Sequence, residues 1–197
     1  MTRRIPAPLI AALCGLTAAT VVVALAVRDD SEDSAVVLDQ PGEYQQPSIA
    51  VNADVSGDQL PDVQVFQLDG TPIGTSTLLD GRPLVVNLWY STCQPCKREM
   101  PTIETAFQKY SGEVRFVGVN TLDPVDTTRS FARELGVTYE LVRDPDGNLT
   151  SAAGVANFPM TFFVAADGTI VRQISGEMKA DDLESAIAEL MPGAMNS

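Results

Sequence analysis

Histidine is missing from all 197 residues, and cysteine occurs only at Cys14, Cys93 and Cys96. A structural zinc site draws about four ligands from cysteine and histidine. Cys14 lies in an N-terminal apolar run, so two cysteines remain and an intramolecular zinc site is nearly excluded. No metal is expected. Covalent haem needs C-x-x-C-H, and Lys97 stands in the histidine position. Basic residues are scarce too: 13 against 26 acidic ones, for a net charge of −13. An acidic chain without a basic patch is a poor binder of nucleic acid. Tryptophan occurs once, at Trp89. What is plentiful is apolar sequence, 45% of the chain, enough for a real core at one-domain length.

The longest uncharged run is at the start. After the basic MTRR, Ile5 to Val27 gives 23 residues without a charge, and RDDSEDS follows at once. At about 1.5 Å per residue a helix of this length covers roughly 35 Å, enough to cross a hydrocarbon core of about 30 Å. Arg3 and Arg4 stay inside by the positive-inside rule, so everything after the run lies outside. The expectation is a single-pass membrane anchor, or uncleaved signal, over residues 1–27. Ala24-Leu25-Ala26 also fits a signal-cleavage site, and cleavage near Ala26 would give a secreted protein. Either way the rest of the chain is extracytoplasmic, where disulfides persist. Cys14 reads as a small apolar residue of the span. Residues 28–59 are acidic, rich in Pro, Gly, Gln and Ser, and without a sustained period, which reads as a flexible linker.

From residue 60 to residue 197 the pattern is that of a folded domain. VQVFQLDGTPIG alternates around Asp69-Gly70, a hairpin signal. LVVNLWY is a nearly continuous apolar run, as expected of a strand buried on both faces. A helix follows to about Tyr110, with Met100, Ile103, Phe107 and Tyr110 at helical spacing. VRFVGVN is a second buried strand. Asp126 is placed to cap a helix through Leu135, YELVRD reads as a short strand, and Asn148–Gly154 as a short helix. TFFVAADGTIVRQI forms two strands around Asp167-Gly168, and Asp181–Leu190 a final amphipathic helix. This order implies an α/β fold: a mixed sheet flanked by helices, preceded by a β-hairpin.

Cys93 and Cys96 then stand just past a buried strand, at the start of a helix. As a static brace a three-residue spacing does little, because loop-closure stabilisation is smallest for short loops. The redox reading has a physical basis. Unpaired backbone N–H groups and the positive end of the helix dipole favour the thiolate, which is the nucleophile. Cys93 is expected to be exposed and to attack a substrate disulfide; Cys96, covered and one turn on, resolves the mixed disulfide. Pro95 stiffens the first turn, and Lys97 and Arg98 add positive charge nearby.

The segments VVNLWYSTCQPCKREMP, GVANFPMTFFVAADGTIV and PDVQVFQLDG together resemble the thioredoxin fold, and more closely the membrane-anchored TlpA/ResA group of extracytoplasmic thiol-disulfide oxidoreductases. The resemblance implies a thioredoxin-like domain in which Cys93 attacks and Cys96 resolves. It implies that Pro159 is held in cis opposite the cysteines and that Phe158, beside it, touches substrate. Glu99 matches an acidic residue three past the second cysteine, a proton relay if its burial raises its pKa. Asn87 stands where cytoplasmic thioredoxins carry a buried aspartate. Asn87, Trp89 and Pro95 support the site, and Trp89 should report the redox state by fluorescence. Thr92 and Gln94 depart from thioredoxin's usual residues and put redox potential and partner choice in question.

No cofactor is implied. The partners implied are protein disulfides or dithiols, in the group including apocytochrome c thiols, and a membrane electron-transfer protein of the CcdA/DsbD type. Three rivals remain: an oxidant forming disulfides in exported proteins, a thiol peroxidase, and a binding module with inert cysteines. Peroxidases need P-x-x-x-T-x-x-C, and Val86 and Tyr90 occupy the Pro and Thr positions before Cys93. A copper-delivery module of the Sco type needs a histidine that this chain lacks.

Overall fold

The computed structural model describes residues 50–191. The expected anchor at 1–27 and most of the expected linker lie outside them. Among the described residues no helix is long and apolar enough to cross a membrane.

Two short strands, β1 (Gln64–Gln67) and β2 (Pro72–Gly74), form the expected hairpin, and a 3-10 turn spans Thr75–Leu78. Then come β3 (Leu84–Trp89), α1 (Gln94–Tyr110), β4 (Arg115–Asn120), α2 (Val125–Glu134), β5 (Glu140–Arg143) and α3 (Asn148–Ala152). The chain closes with β6 (Met160–Val164), β7 (Ile170–Ser175) and α4 (Ala180–Leu190). All seven strands make one sheet in the order β2-β1-β5-β4-β3-β6-β7. β3, β4 and β5 run parallel, while β6, β7 and the hairpin are antiparallel to their neighbours. This is the mixed sheet that the pattern implies, and the thioredoxin-like one that the resemblance implies.

The period of two along the central strands sorts the core into two layers. Val85 and Trp89 of β3, Phe116 of β4 and Phe163 of β6 join a cluster with Met100 and Ile103 of α1, Phe131 of α2 and Leu183 and Ile187 of α4. Leu84, Val86, Leu88, Val117, Val119, Met160 and Phe162 face the other way, onto Leu149 of α3 and Leu78. All six residues of β3 are buried, which is why its sequence is a run and not an alternation.

Two expectations are corrected. α2 begins one residue before Asp126, with Pro124 at the N-cap and no side-chain cap bond; Asp126 sits in the first turn instead, where a carboxylate complements the helix dipole. Residues 50–59, assigned by composition to the linker, lie against the domain: Ala53 N–H donates to Gly154 C=O (2.9 Å), and Gly57 N–H to Ile170 C=O (2.8 Å). Low hydrophobicity misread them because their attachment is through polar backbone and amide groups.

Candidate active site

β3 ends at Trp89, and residues 90–93 turn the chain into α1. The Cys93 N–H closes this turn on Tyr90 C=O (3.1 Å). Cys93 is the N-cap of α1, with extended backbone (φ −77°, ψ 103°), and its sulfur accepts from the Cys96 N–H at 3.2 Å. Pro95 lies in the first turn, where its missing N–H would have no helical partner in any case. Cys93 and Cys96 are joined as a disulfide with a Cα–Cα separation of 5.3 Å. Cys96 is fully buried, as expected. Cys93 is only 4% exposed, against the expectation of an exposed attacking sulfur, because its side chain turns inward to cap the helix. Thr92 and Gln94 on either side of it are exposed.

The two basic residues are engaged elsewhere. Lys97 pairs with Glu134 of α2 at 3.0 Å, and Arg98 with Glu177, ahead of α4, at 2.6 Å. Exposed pairs of this kind contribute little energy; they tie α1 to its neighbours.

Glu99 is 1% exposed. Its Oε1 accepts from Asn87 Nδ2 (2.7 Å) and its Oε2 from the Met178 N–H (2.9 Å). Burial pushes its carboxyl up to about 7; the Met178 and Asn87 hydrogen bonds oppose the rise, and the charge of Glu177 adds to it. A carboxyl poised there both accepts and releases a proton at neutral pH. Asn87 also donates to Thr161 Oγ1 (2.9 Å), while its Oδ1 is buried without a partner among the described residues. Trp89 stacks on Phe131 at 5.5 Å in the same cluster as both cysteines.

The Phe158–Pro159 bond is cis, the state the resemblance implies. β6 runs antiparallel to β3 with Leu88 opposite Met160, which sets Pro159 beside the β3 end that leads to Cys93. The Phe158 ring meets the Tyr90 ring edge to face at 5.4 Å. The Pro159 carbonyl accepts from the Gly176 N–H (2.9 Å), whereas the backbone N–H and C=O of Phe158 take no backbone partner among the described residues.

Sequence reasoning missed several contributors. Asp123, in the loop after β4, accepts from the Ser91 N–H (2.7 Å), the Ser91 hydroxyl (2.6 Å) and Asn120 Nδ2 (2.7 Å). It thereby holds the turn that delivers Cys93. Thr161 and the Met178 N–H were also missed. A Ser, an Asp and a Thr in loops and strands are too ordinary to stand out, and a backbone donor leaves no trace in the sequence.

Residues 56–173 match the model of the AhpC/TSA family. Thiol-disulfide oxidoreductase ResA of Geobacillus thermodenitrificans is 28% identical over 137 residues, covering 69% of this chain and 78% of that protein. ResA of Bacillus subtilis is 26% identical over 138 residues, covering 70% and 76%. Among solved structures, dsbF of Mycobacterium tuberculosis, in its mixed oxidized and reduced forms, superposes with a TM-score of 0.60 at 29% identity, covering 66% of this chain and 95% of that one.

Proposed function

The chain belongs to the AhpC/TSA family, and on that premise we propose that it is a thiol-disulfide oxidoreductase whose Cys93–Cys96 pair reduces protein disulfides outside the cytoplasm. The observation that carries this reading is the disulfide at the α1 N-terminus, with the Cys93 sulfur on the Cys96 N–H at 3.2 Å and Glu99 buried one turn on.

In the reduced protein the Cys93 thiolate, favoured by the helix terminus, attacks one sulfur of a substrate disulfide. A Cys93–substrate bond forms, the substrate's own S–S bond breaks, and the departing thiolate takes a proton. Cys96 gives its proton to Glu99 and attacks the Cys93 sulfur. The Cys93–Cys96 bond forms, the second substrate thiolate leaves, and two electrons have passed to the substrate. Phe158, whose backbone beside Pro159 takes no backbone partner among the described residues, is the proposed contact for the substrate chain; Asn87, Trp89 and Pro95 hold the site in place. A membrane electron-transfer protein of the CcdA/DsbD type would return the two electrons, with residues 1–27 as anchor and apocytochrome c thiols as one candidate substrate.

The second reading, an oxidant of exported proteins, uses the same residues in reverse. The two separate by reduction potential, followed through Trp89 fluorescence in the full chain equilibrated with thiol–disulfide buffers. A value near or below about −250 mV is expected for a reductant; one near about −120 mV would reverse the direction. Cys93→Ser should abolish exchange. A pair that does not cycle at all would leave a binding module.

A further inference from the structure

Asn52 lies in the segment by which the chain enters the domain, upstream of the residues that match the family model. It is half-buried, and its side-chain amide is fully used. Oδ1 accepts from the backbone N–H groups of Ala156 (2.6 Å) and Asn157 (2.7 Å). Nδ2 donates to Asn157 C=O (3.1 Å) and to the Ser175 hydroxyl (2.7 Å). Two acceptances and two donations exhaust an amide.

Neighbouring bonds lay the segment down as a strap. Asn157 Nδ2 donates to Ala50 C=O (2.5 Å), Gln173 Nε2 donates to Ala53 C=O (2.8 Å), and Gln173 Oε1 accepts from the Val55 N–H (2.9 Å). Gly154 has φ +60°, and a Cβ there would stand 2.6 Å from the Ala53 Cβ, so the strap crosses where only glycine fits.

The two ends that Asn52 grips flank the bond described above. Ala156 and Asn157 lead directly into Phe158 and Pro159. Ser175 pairs with Met160, and Gly176, next to it, donates to Pro159 C=O at 2.9 Å. Residues 154–159 have no ladder or helix to hold their shape, and the Ala156 and Asn157 N–H groups find their acceptor in Asn52.

We propose that Asn52 is a positioning residue for protein substrates: the strap sets the shape of the Phe158–Pro159 loop, on which an extended polypeptide lies, and leaves the sulfur chemistry of Cys93 alone. This rests on the thiol-exchange reading above. It makes the segment arriving from the N-terminal side part of the substrate site.

The test compares two disulfide probes in the full chain: insulin as a polypeptide, turned over with dithiothreitol as the electron donor, and 5,5′-dithiobis(2-nitrobenzoate) as a small molecule, reacted stoichiometrically with the pre-reduced chain. Losing the bonds of one side chain to a binding loop, Asn52→Ala should raise KM for insulin about three- to tenfold with kcat and the small-probe rate within about twofold. An unchanged KM for insulin, whatever the loss of melting temperature, would reduce Asn52 to a structural role and overturn the proposal. Equal slowing with both probes would place the effect in the sulfur chemistry and overturn it as well. If Asn52→Ala does not fold, Ser175→Ala removes one of the four bonds and should raise KM for insulin more modestly; no rise overturns the proposal. Wild-type protein that exchanges with neither probe removes the thiol-exchange reading and this inference together, whereas active wild type with an indifferent Asn52→Ala removes the inference alone.

Discussion

Glu99 concentrates the electrostatics of the site in one side chain. Its carboxyl is raised from 4.5 to about 7, chiefly by burial. Between those two values the folded protein binds a proton that the unfolded chain has released, so stability falls as pH rises through the window. The loss should be on the order of 3 kcal/mol, complete above about pH 7 and absent below about pH 4.5. Glu99→Gln should flatten this dependence, at the cost of one hydrogen bond, because one of its two donors, Asn87 and Met178, would then face an amide NH2. Urea unfolding at pH 4.5, 6 and 7.5 checks it, and an equally steep wild-type and variant profile would remove Glu99 as the source. In exchange, the same variant should slow resolution of the mixed disulfide about tenfold or more near pH 7. Position 99 was singled out by the resemblance, three residues past Cys96. Its partners were not, since they come from β3 and from the backbone ahead of α4.

β3, β4 and β5 bring their side chains together over Gly118, and the fit there is tight. A Cβ on Gly118 would stand 2.8 Å from Leu141 Cδ2 and 3.0 Å from both Trp89 Nε1 and Tyr139 Cε2. Gly118→Ala should therefore destabilise by about 1–3 kcal/mol through overpacking and displace Trp89, the fluorophore of the site. Thermal unfolding and the Trp89 emission spectrum read both effects; no change in either would mean that the three neighbours yield freely. The strands themselves were plain in the sequence, since the apolar run at 84–89 and the hairpins around Asp69-Gly70 and Asp167-Gly168 are local signals. The start of α2 was not, because Pro124 caps through its backbone while Asp126 looks more like a capping residue.

The molecule as a whole extends further upstream than its composition suggests. Val55 packs beside the second core cluster, and Asn52, Ala53 and Val55 together bond to the 154–157 loop and to β7. A chain beginning at residue 56, where the family match begins, should keep its secondary structure yet melt several degrees below one beginning at residue 48, since each 1 kcal/mol lost moves Tm by about 2–8 °C at this size. Circular dichroism melts of the two chains decide it, and equal melting points would make the strap energetically idle.

Residue order alone pointed to the chemistry of the pair. A C-x-x-C between a buried run and a helix, in a chain without histidine, argues against zinc and haem and towards thiol exchange, because residues three apart at a helix start share one local environment. Folding decided what packs around the pair and around the loop beside it. Glu99 meets Met178 across 79 residues, and Asn52 meets Asn157 across 105. Desolvation and hydrogen-bond partnership are properties of what packs against a group, and neighbours so distant along the chain are set by the fold.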